Sequence, residues 1–293
     1  MKIIKIKFLE KKIIITGANG FIGFELINYF SKRNFKVVAF VYSPVKVAIE
    51  NVEYVQYDMN KTVDELSFEN ADYIIHCAYL KSSKNNDTSR INIESTKRLL
   101  EISRKYKLKK FVFLSSFSAH KDALSNYGKT KFELEKIFDK NSDLVIKPGL
   151  VLGNGGLFKN IESIIKKNKF IPLIDGGKQA LQTLHIDELV RCIDFALKND
   201  ISGKYAIAEK LPIKMKAFYK AVAKKLNKKV IWIYFHYFFA NILLCFFEFI
   251  RISFSVSKEN LLGLKQMKSL DVEKDLKIFN LEPKSCFETL EVL

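Results

Sequence analysis

Short apolar runs alternate with longer amphipathic stretches over the first half of the chain. The runs are rich in β-branched and aromatic residues, which is typical of strands buried on both faces of a parallel sheet. Between them, apolar residues recur at the spacing of helices. The pattern predicts strands at Lys12–Thr16, Phe35–Tyr42, Tyr54–Tyr57, Ala71–Ala78, Lys110–Leu114 and Leu144–Lys147. It predicts helices from Phe21 to about Lys32, at Ile91–Tyr106 and at Tyr127–Phe138.

This alternation predicts an α/β fold with a Rossmann-type doubly wound parallel sheet. From about residue 151 the pattern loosens into helices, loops and short strands. We therefore expect a dinucleotide-binding domain over residues 1–150. Residues 151–293 are expected to form mainly a smaller C-terminal substrate-binding lobe, with some segments returning to the sheet. The opening residues, MKIIKIKFLEKK, have no apolar core of a signal peptide and are interpreted as an extension into the first strand.

One uncharged stretch of 18 residues, VIWIYFHYFFANILLCFF, runs from Val230 to Phe247. That length reaches the threshold for a membrane-spanning helix. On a helix, however, its polar side chains share one arc of roughly 160°, which is more typical of an interfacial helix. We predict a Phe-rich apolar helix near 230–252. Burial against the protein body or a partner subunit and peripheral membrane contact both stay open, and a crossing helix is disfavoured.

Charge changes the picture less than its size suggests. Lys and Arg number 49 against 32 Asp and Glu, which gives a net charge of +17. Such a chain could bind nucleic acid, an anionic membrane or an anionic small molecule. The lysines are scattered and no recognition motif with interleaved aromatics is present, so no nucleic-acid partner is predicted. Most of the excess is interpreted as a lysine-rich surface.

The four cysteines indicate the compartment. Cys77, Cys192, Cys245 and Cys286 form no CxxC pair and have no histidine at metal-ligand spacing. A chain of this size needs no disulfide framework, so a reducing cytoplasm is expected. No metal site is predicted.

A glycine-rich turn supplies the first candidate chemistry. Gly17, Gly20 and Gly23 are spaced GxxGxxG directly after the first strand and open the first helix. The first glycine permits a tight turn, the second a close approach of backbone to a pyrophosphate, and the third close packing of helix on strand. This context indicates a dinucleotide-binding turn.

Cofactor choice stays open between NAD and NADP. The acidic residue that grips the adenosine ribose in NAD enzymes should follow the second strand. That region reads Val41-Tyr42-Ser43-Pro44 and contains neither an acid nor an arginine. Lys46 is a candidate phosphate partner or an ordinary surface lysine. Asp58, after the third strand, is a candidate for the adenine edge or an ordinary loop residue.

A Ser/Tyr/Lys set supplies the second candidate chemistry. Tyr127 and Lys131 are four residues apart and share one helix face. An ammonium near the phenol favours the phenolate, which can take a proton from a substrate hydroxyl while hydride leaves the same carbon. Ser116 follows the fifth strand at the sheet end where such folds bind ligands. These residues are predicted to be catalytic.

Together, TGANGFIG, DYIIHCAY, INIESTKRLLE, LSSFS and YGKTK resemble the NAD-dependent epimerase/dehydratase family of the extended short-chain dehydrogenase/reductase superfamily. KPGLVLG, LHIDELVRCIDFAL and two C-terminal segments carry the resemblance over nearly the whole chain. The resemblance implies an NAD(P)-dependent enzyme acting on a nucleotide sugar.

The resemblance also implies roles for individual residues. Those expected at the pyrophosphate are Gly17, Asn19, Gly20, Phe21, Ile22 and Gly23. Those expected near the rest of the cofactor are Asp58, Met59, Cys77, Ala78, Tyr79, Asn92, Tyr127, Lys131 and Pro148. Asp58 and Met59 would lie by the adenine, Lys131 would grip the nicotinamide ribose, and Asn92 would be structural or a proton relay.

The sequence departs from the family pattern at positions that bear on the cofactor and on the reaction. The acid after the second strand, which would contact the adenosine ribose, is missing. Phe117 and Ser118 stand where a 4,6-dehydratase needs an Asp-Glu pair to eliminate water. A 4-epimerase or a ketone reductase needs the tyrosine and serine alone.

Three functional hypotheses follow. The leading one is a sugar-nucleotide epimerase, or a related oxidoreductase, in surface polysaccharide synthesis. The second is a membrane-associated reductase of a lipid-like or steroid-like substrate at the inner membrane face. The third is a non-catalytic NAD(P)-binding assembly protein, against which the intact Ser116, Tyr127 and Lys131 count. A homodimer is a further expectation from the resemblance.

Overall fold

The computed structural model describes residues 11–45, 47–81, 87–237 and 258–293. The strands are β1 Lys11–Thr16, β2 Phe35–Val41, β3 Val52–Gln56, β4 Tyr73–His76, β5 Lys110–Leu114, β6 Leu144–Pro148, β7 Leu150–Leu152, β8 Phe170–Ile174, β9 Ala180–Leu181, β10 Thr183–His185, β11 Gly203–Ile207, β12 Ile213–Lys214 and β13 Ile231–Phe235. The helices are α1 Phe21–Ser31, α2 Thr88–Lys105, α3 Asn126–Leu134, α4 Gly156–Lys167, α5 Ile186–Lys198, α6 Met215–Lys225, α7 Lys258–Lys265, α8 Glu273–Ile278 and α9 Cys286–Val292.

A seven-stranded parallel sheet in the order β3-β2-β1-β4-β5-β6-β11 forms the centre of the fold. The chain leaves β1 toward β3 and then returns to build the other half from β4. The strand order therefore reverses between β1 and β4, and parallel sheets bind ligands at the carboxyl ends of strands at such a point. The predicted Rossmann-type fold is confirmed.

All six predicted strands and all three predicted helices are present, with small shifts at their ends. Helix α2 begins three residues earlier than predicted. The Asp87 side chain accepts from the Arg90 backbone N–H at 3.1 Å and so caps the first turn. Helix α3 ends at Leu134, four residues before the predicted end.

Apolar side chains fill both sides of the sheet. Ile13 and Ile15 of β1 face one layer and Ile14 faces the other, as strand alternation requires. Helices α1, α5 and α8 cover the first side, and α2 and α3 cover the second. Each fully buried Leu, Ile or Phe stabilises the fold by about 1.5–3 kcal/mol relative to exposure.

The second lobe has its own core between α4, α6 and α9, with Phe158, Phe218 and Cys286 fully buried. Three pairs of short strands border it: β7 with β10, β9 with β12, and β8 with β13. Strand β11, at residues 203–207, lies in the central sheet beside β6. Residues after 151 thus contribute to both parts of the molecule.

The prediction of a continuous helix near 230–252 is wrong at its start. Ile231–Phe235 is a strand, paired in parallel with β8 from Ile231 opposite Phe170 to Phe235 opposite Ile174. The five residues IWIYF are all β-branched or aromatic, and an open strand edge is available at β8. Residues 238–252 lie outside the described part, as do the first ten residues and Lys46. Among the described residues, no helix is both long and apolar enough to span a membrane.

Candidate active site

The glycine turn is shaped by contacts that exclude side chains. Gly17 has φ +68°, and a Cβ there would lie 2.7 Å from the Ala78 nitrogen. A Cβ on Gly23 would lie 2.3 Å from the Gly17 carbonyl oxygen. Gly20 is the N-cap of α1 and carries no side-chain cap. The first-turn N–H groups and the helix dipole are therefore available to an anion.

The neighbours of these glycines have other contacts. Asn19 accepts from the Tyr42 N–H at 3.0 Å and donates to the Ser43 carbonyl at 3.1 Å, which ties the turn to the end of β2. The Phe21 ring packs over Gly153, Gly155 and Gly156, where a Cβ would lie within 3.0 Å of the ring. Ile22 packs against the core. The structure places these three side chains in scaffold contacts beside the turn.

The two residues predicted near adenine have different surroundings. Met59 is 6% exposed and belongs to the core beneath the sheet. Asp58 accepts from the Asn60 N–H at 2.9 Å and lies 3.9 Å from the Lys61 ammonium. Asp58 is thus at the end of β3 as expected, whereas Met59 is a packing residue in this structure.

A buried histidine organises the carboxyl ends of β1 and β4. His76 is fully buried between Thr16 and Thr96, with its Nδ1 2.7 Å from Thr16 Oγ1 and its Nε2 3.0 Å from Thr96 Oγ1. Burial lowers the pKa of His76 to about 3, with a further lowering from Lys131. The ring is therefore neutral at pH 7.

Its tautomer follows from the surrounding bonds. Thr96 Oγ1 donates to the Asn92 carbonyl at 2.7 Å, so it accepts from His76 Nε2. His76 Nδ1 then accepts from Thr16 Oγ1, which itself accepts from the Ala78 N–H at 3.2 Å. The network fixes the path of Cys77 and Ala78 past the glycine turn. Burial raises the pKa of the Cys77 thiol to about 12, so it stays protonated.

Asn92 fastens the segment after β4 to α2. Its Oδ1 accepts from the Leu80 N–H and its Nδ2 donates to the Leu80 carbonyl, both at 2.9 Å. Its Nδ2 also donates to the Thr88 carbonyl at 2.6 Å. These contacts are those of a structural clamp on the strand end next to Tyr79.

Ser116, Tyr127 and Lys131 come together at the carboxyl end of β5. The Ser116 hydroxyl accepts from the Ser118 N–H at 3.1 Å and lies close enough to the Tyr127 phenol to lower its pKa. The Tyr127 ring meets the Tyr79 ring edge-on, with centroids 5.0 Å apart. Lys131 is 3% exposed and its Nζ donates to the Leu114 carbonyl at 2.6 Å. Ser125 caps α3 by accepting from the Gly128 N–H at 3.1 Å, which holds Tyr127 in the first turn.

The electrostatics of this group are uneven. Desolvation lowers the pKa of Lys131 to about 8, against the opposing influence of Cys77 and Glu135. Tyr127 is 38% exposed, yet partial desolvation raises its pKa above the ordinary value of 10.0, and the nearby Ser116 hydroxyl opposes the rise. Tyr127 therefore keeps its proton at neutral pH and can act as a proton donor. A positive charge brought close to the phenol would favour the phenolate.

The described geometry agrees with a comparison across the chain. A family model described as the NAD dependent epimerase/dehydratase family matches residues 13–208, more than half of the chain. This chain belongs to that family.

Curated relatives in this family differ in activity. CDP-abequose synthase of Salmonella typhimurium is 34% identical over 125 residues, 39% of this chain and 41% of that protein. UDP-glucose 4-epimerase of Vibrio cholerae is 24% identical over 224 residues, 64% of this chain and 67% of that protein. The first alignment thus spans less than half of the relative's length.

Solved structures show the same fold. UDP-glucose 4-epimerase of Thermotoga maritima with UDP-glucose has a TM-score of 0.72 at 18% identity, covering 96% of this chain and 97% of that one. UDP-glucuronic acid 4-epimerase of Bacillus cereus, in complex with UDP-glucuronic acid and NAD, has a TM-score of 0.72 at 20% identity, covering 96% of both.

A buried carboxylate that was not predicted from the sequence lies behind the tyrosine–lysine pair. Glu135 is 3% exposed and lies one helical turn beyond Lys131. It accepts from Ser115 Oγ at 2.5 Å and lies 3.1 Å from the Lys147 ammonium and 2.9 Å from that of Lys204. The spacing Tyr127, Lys131, Glu135 places all three on one helical face and was a readable signal.

The C-terminal segment also contributes to the site, which was not predicted from the sequence. Glu259 of α7 accepts from the Asn126 N–H at 2.8 Å, at the start of the helix that carries Tyr127. Lys268 lies 2.6 Å from Asp122, and His120 Nε2 lies 3.2 Å from the Gln266 carbonyl. These contacts join residues 133 or 146 positions apart, so no local pattern announces them.

Proposed function

We propose that this chain is an NAD-dependent oxidoreductase that interconverts a hydroxyl and a keto group on a nucleotide-activated sugar, as a 4-epimerase or ketone reductase of surface polysaccharide synthesis. The observation that carries the proposal is that Tyr127 and buried Lys131 both contact the Tyr79 ring at the carboxyl end of β5, with Ser116 beside the phenol and the glycine turn against Ala78. The relatives named CDP-abequose synthase and UDP-glucose 4-epimerase support a nucleotide sugar as substrate.

The glycine turn fits a dinucleotide. Gly17 and Gly23 leave no room for side chains, and α1 begins with no side-chain cap among the described residues. Gly17, Gly20 and Gly23 would hold the pyrophosphate through backbone N–H groups. Bound NAD would supply the hydride acceptor and donor. We choose NAD because the family is described as NAD dependent.

Tyr127 would move the proton. In its phenol form it donates to a keto oxygen, and as a phenolate it accepts from a hydroxyl. Ser116, whose hydroxyl lies beside the same phenol, would hold the reacting oxygen in place. Lys131 in its charged form would stabilise the phenolate, and its pKa of about 8 leaves it charged in most molecules at pH 7.

Epimerisation or reduction fits this group better than dehydration. Elimination of water requires a separate acid and base beside the sugar ring. Phe117 and Ser118 follow Ser116 in the positions where a carboxylate pair would serve. We therefore exclude 4,6-dehydratase activity from the proposal.

The test incubates the purified protein with UDP- and CDP-activated hexoses and 4-keto hexoses, with NAD or NADH. Absorbance at 340 nm reports net reduction, and proton NMR of the sugar reports inversion without net cofactor turnover. Turnover that is lost in Tyr127→Phe, while NAD binding remains, would support the proposal. No conversion of any nucleotide sugar would refute it.

The apolar outer surface of the second lobe favours one other candidate, reduction of a lipid-like ketone. A relative named short-chain dehydrogenase/reductase family 42E member 1, from Homo sapiens, matches 270 residues at 22% identity. The same NADH assay with a detergent-dispersed steroid or long-chain ketone separates the two. Turnover of those ketones and of no nucleotide sugar would select this candidate.

A further inference from the structure

The outer face of the β8–β13 pair is apolar and lacks a cover among the described residues. Strand alternation sends Ile171 and Leu173, each 1% exposed, into the lobe core together with Trp232. The opposite face of the pair is formed by Phe170, Pro172, Ile174, Ile231, Ile233 and Phe235. We call these six residues the apolar face.

Large apolar side chains on this face are exposed to solvent. Phe170 is 55% exposed, Ile231 is 46% exposed and Ile233 is 36% exposed, although all three lie in regular strands. Single exposed apolar residues are ordinary on protein surfaces, but a contiguous apolar patch marks an interaction site. The chain leaves this patch at Phe235 and continues into the uncharged sequence FFANILLCFF at 238–247.

Lysines border the apolar face. Five of them precede the two strands directly: Lys166, Lys167, Lys169, Lys228 and Lys229. Backbone pairing brings the two groups together, because the Ile231 N–H donates to the Lys169 carbonyl at 2.7 Å. Among the described residues, none of the five forms an ion pair, whereas surface lysines elsewhere, such as Lys36 and Lys105, contact carboxylates.

The surrounding sequence strengthens this charge. Residues 210–247 contain eight lysines and no Asp or Glu. A surface with one sign of charge and an apolar centre attracts an anionic partner and then offers it a place to bury apolar groups. An anionic lipid bilayer has both properties, since headgroups lie above acyl chains.

We propose that the apolar face and its five lysines form the docking surface of this protein on an anionic membrane. The lysines would lie among the phosphate headgroups while Phe170, Ile231 and Ile233 enter the headgroup–acyl boundary. A second copy of the chain fits less well, because a symmetric contact through this face would oppose two sets of five lysines. This proposal is independent of the substrate.

The experiment measures co-sedimentation of the full chain with sucrose-loaded vesicles, either pure phosphatidylcholine or with 30 mol % phosphatidylserine. We expect binding to the anionic vesicles at 0.1 M NaCl and a strong reduction at 0.5 M, where screening is short-ranged. Substituting Lys167, Lys228 and Lys229 by Gln is expected to weaken binding roughly fivefold per lysine. Phe170→Thr with Ile231→Thr keeps strand propensity and is expected to weaken it further.

A matched variant separates a docking surface from general basicity. Substituting Lys32, Lys97 and Lys140 by Gln removes the same net charge from exposed sites on the dinucleotide-binding side. This variant is expected to bind like the unmodified protein. Equal losses in the two lysine variants, or no vesicle binding at all, would overturn the proposal. A dimer in light scattering that Ile231→Thr dissociates, without vesicle binding, would assign the face to a second copy instead.

Discussion

Two buried lysines lie at opposite ends of β5 and have contrasting surroundings. Lys110, at the amino end of β5, is 2% exposed, and its Nζ meets Asp200 at 2.6 Å, Ser202 Oγ at 2.7 Å and the Ile201 carbonyl at 3.1 Å. Lys131, beside the carboxyl end, meets the Leu114 carbonyl and lies 5.0 Å and 4.5 Å from the ring centroids of Tyr79 and Phe113.

The difference separates a structural role at the amino edge of the sheet from a chemical role at its carboxyl edge. At the amino edge, the ammonium is neutralised and hydrogen-bonded, which makes Lys110 a structural anchor. At the carboxyl edge, an ammonium is held with less compensation, and its pKa falls to about 8. Such a group costs stability and is responsive to charge nearby, which is the condition that proton transfer requires.

The largest effect is expected from removing the Tyr127 hydroxyl at the carboxyl edge of the sheet. Tyr127→Phe should reduce turnover of the proposed nucleotide sugar by about 10²- to 10⁴-fold, because the proton donor is lost. Tyr73→Phe is the matched control, since the Tyr73 hydroxyl accepts from Lys11 at 3.3 Å at the amino edge. Turnover should be unchanged in the control. Similar losses in both variants would show that the two edges do not differ in chemistry.

Exchanging each lysine for methionine should change stability in opposite directions. Lys110→Met leaves Ser202 and the Ile201 carbonyl without their donor, so the free energy of unfolding should fall by about 1–3 kcal/mol. Lys131→Met removes a poorly solvated charge but also leaves the Leu114 carbonyl without its donor, so it should raise that free energy at pH 7 by a net amount of about 1 kcal/mol while abolishing turnover. Urea denaturation at pH 7 measures both changes.

The stability gain expected for Lys131→Met should depend on pH in a defined direction. Because the pKa of Lys131 is about 8 in the folded chain and 10.5 otherwise, the unfolded chain binds more protons between these values. The cost of burying Lys131 is therefore complete below pH 8 and disappears as the pH rises toward 10.5. The stability gain of Lys131→Met should shrink over that interval. A gain independent of pH would contradict the charge explanation.

A smaller effect is expected from Glu135→Gln, which keeps the side-chain shape. The negative charge of Glu135 raises the pKa of Lys131, so its loss should lower that pKa further. Turnover should fall by about tenfold at neutral pH, and its alkaline limb should move to lower pH. Glu133→Gln on the same helix is the control, since Glu133 is exposed and pairs with Lys136. A pH profile unchanged by Glu135→Gln would make Glu135 purely structural.

The smallest effect is expected from the cap of α3. Ser125→Ala removes the acceptor of the Gly128 N–H and should lower the free energy of unfolding by about 1 kcal/mol. Turnover should change by less than twofold, because Lys131 and Glu135 still anchor the helix. Thermal unfolding and the NADH assay on one preparation measure the two effects.

Local patterns predicted six of the seven strands of the sheet, and the candidate site residues stay a prediction that the geometry brings together. Gly17 and Gly23 could be recognised because the turn excludes side chains from both positions. Tyr127 and Lys131 could be recognised because helical spacing alone brings them to one face. The features that local patterns do not give depend on neighbours that are distant in the chain. Met59 follows the expected strand, yet its side chain is in the core.

The prediction of a helix at Ile231–Phe235 was wrong for a related reason. An 18-residue apolar window averages over a five-residue strand, and the strand exists because β8 presents an edge to it. Glu259 and Gln266 reach the active-site segment from more than 130 residues away. Single-sequence periodicity carries no information about such pairings.

The position of β11 beside β6 has a consequence for biosynthesis. A nascent chain of 150 residues contains six parallel strands, but β6 still has a bare edge and the face that α5 covers is open. Both gaps close after residue 207 has left the ribosome, when the intervening strands and α4 have already been made. Bare strand edges promote aggregation during synthesis. Chaperone demand should therefore peak between the emergence of residue 150 and the emergence of residue 207 from the ribosome.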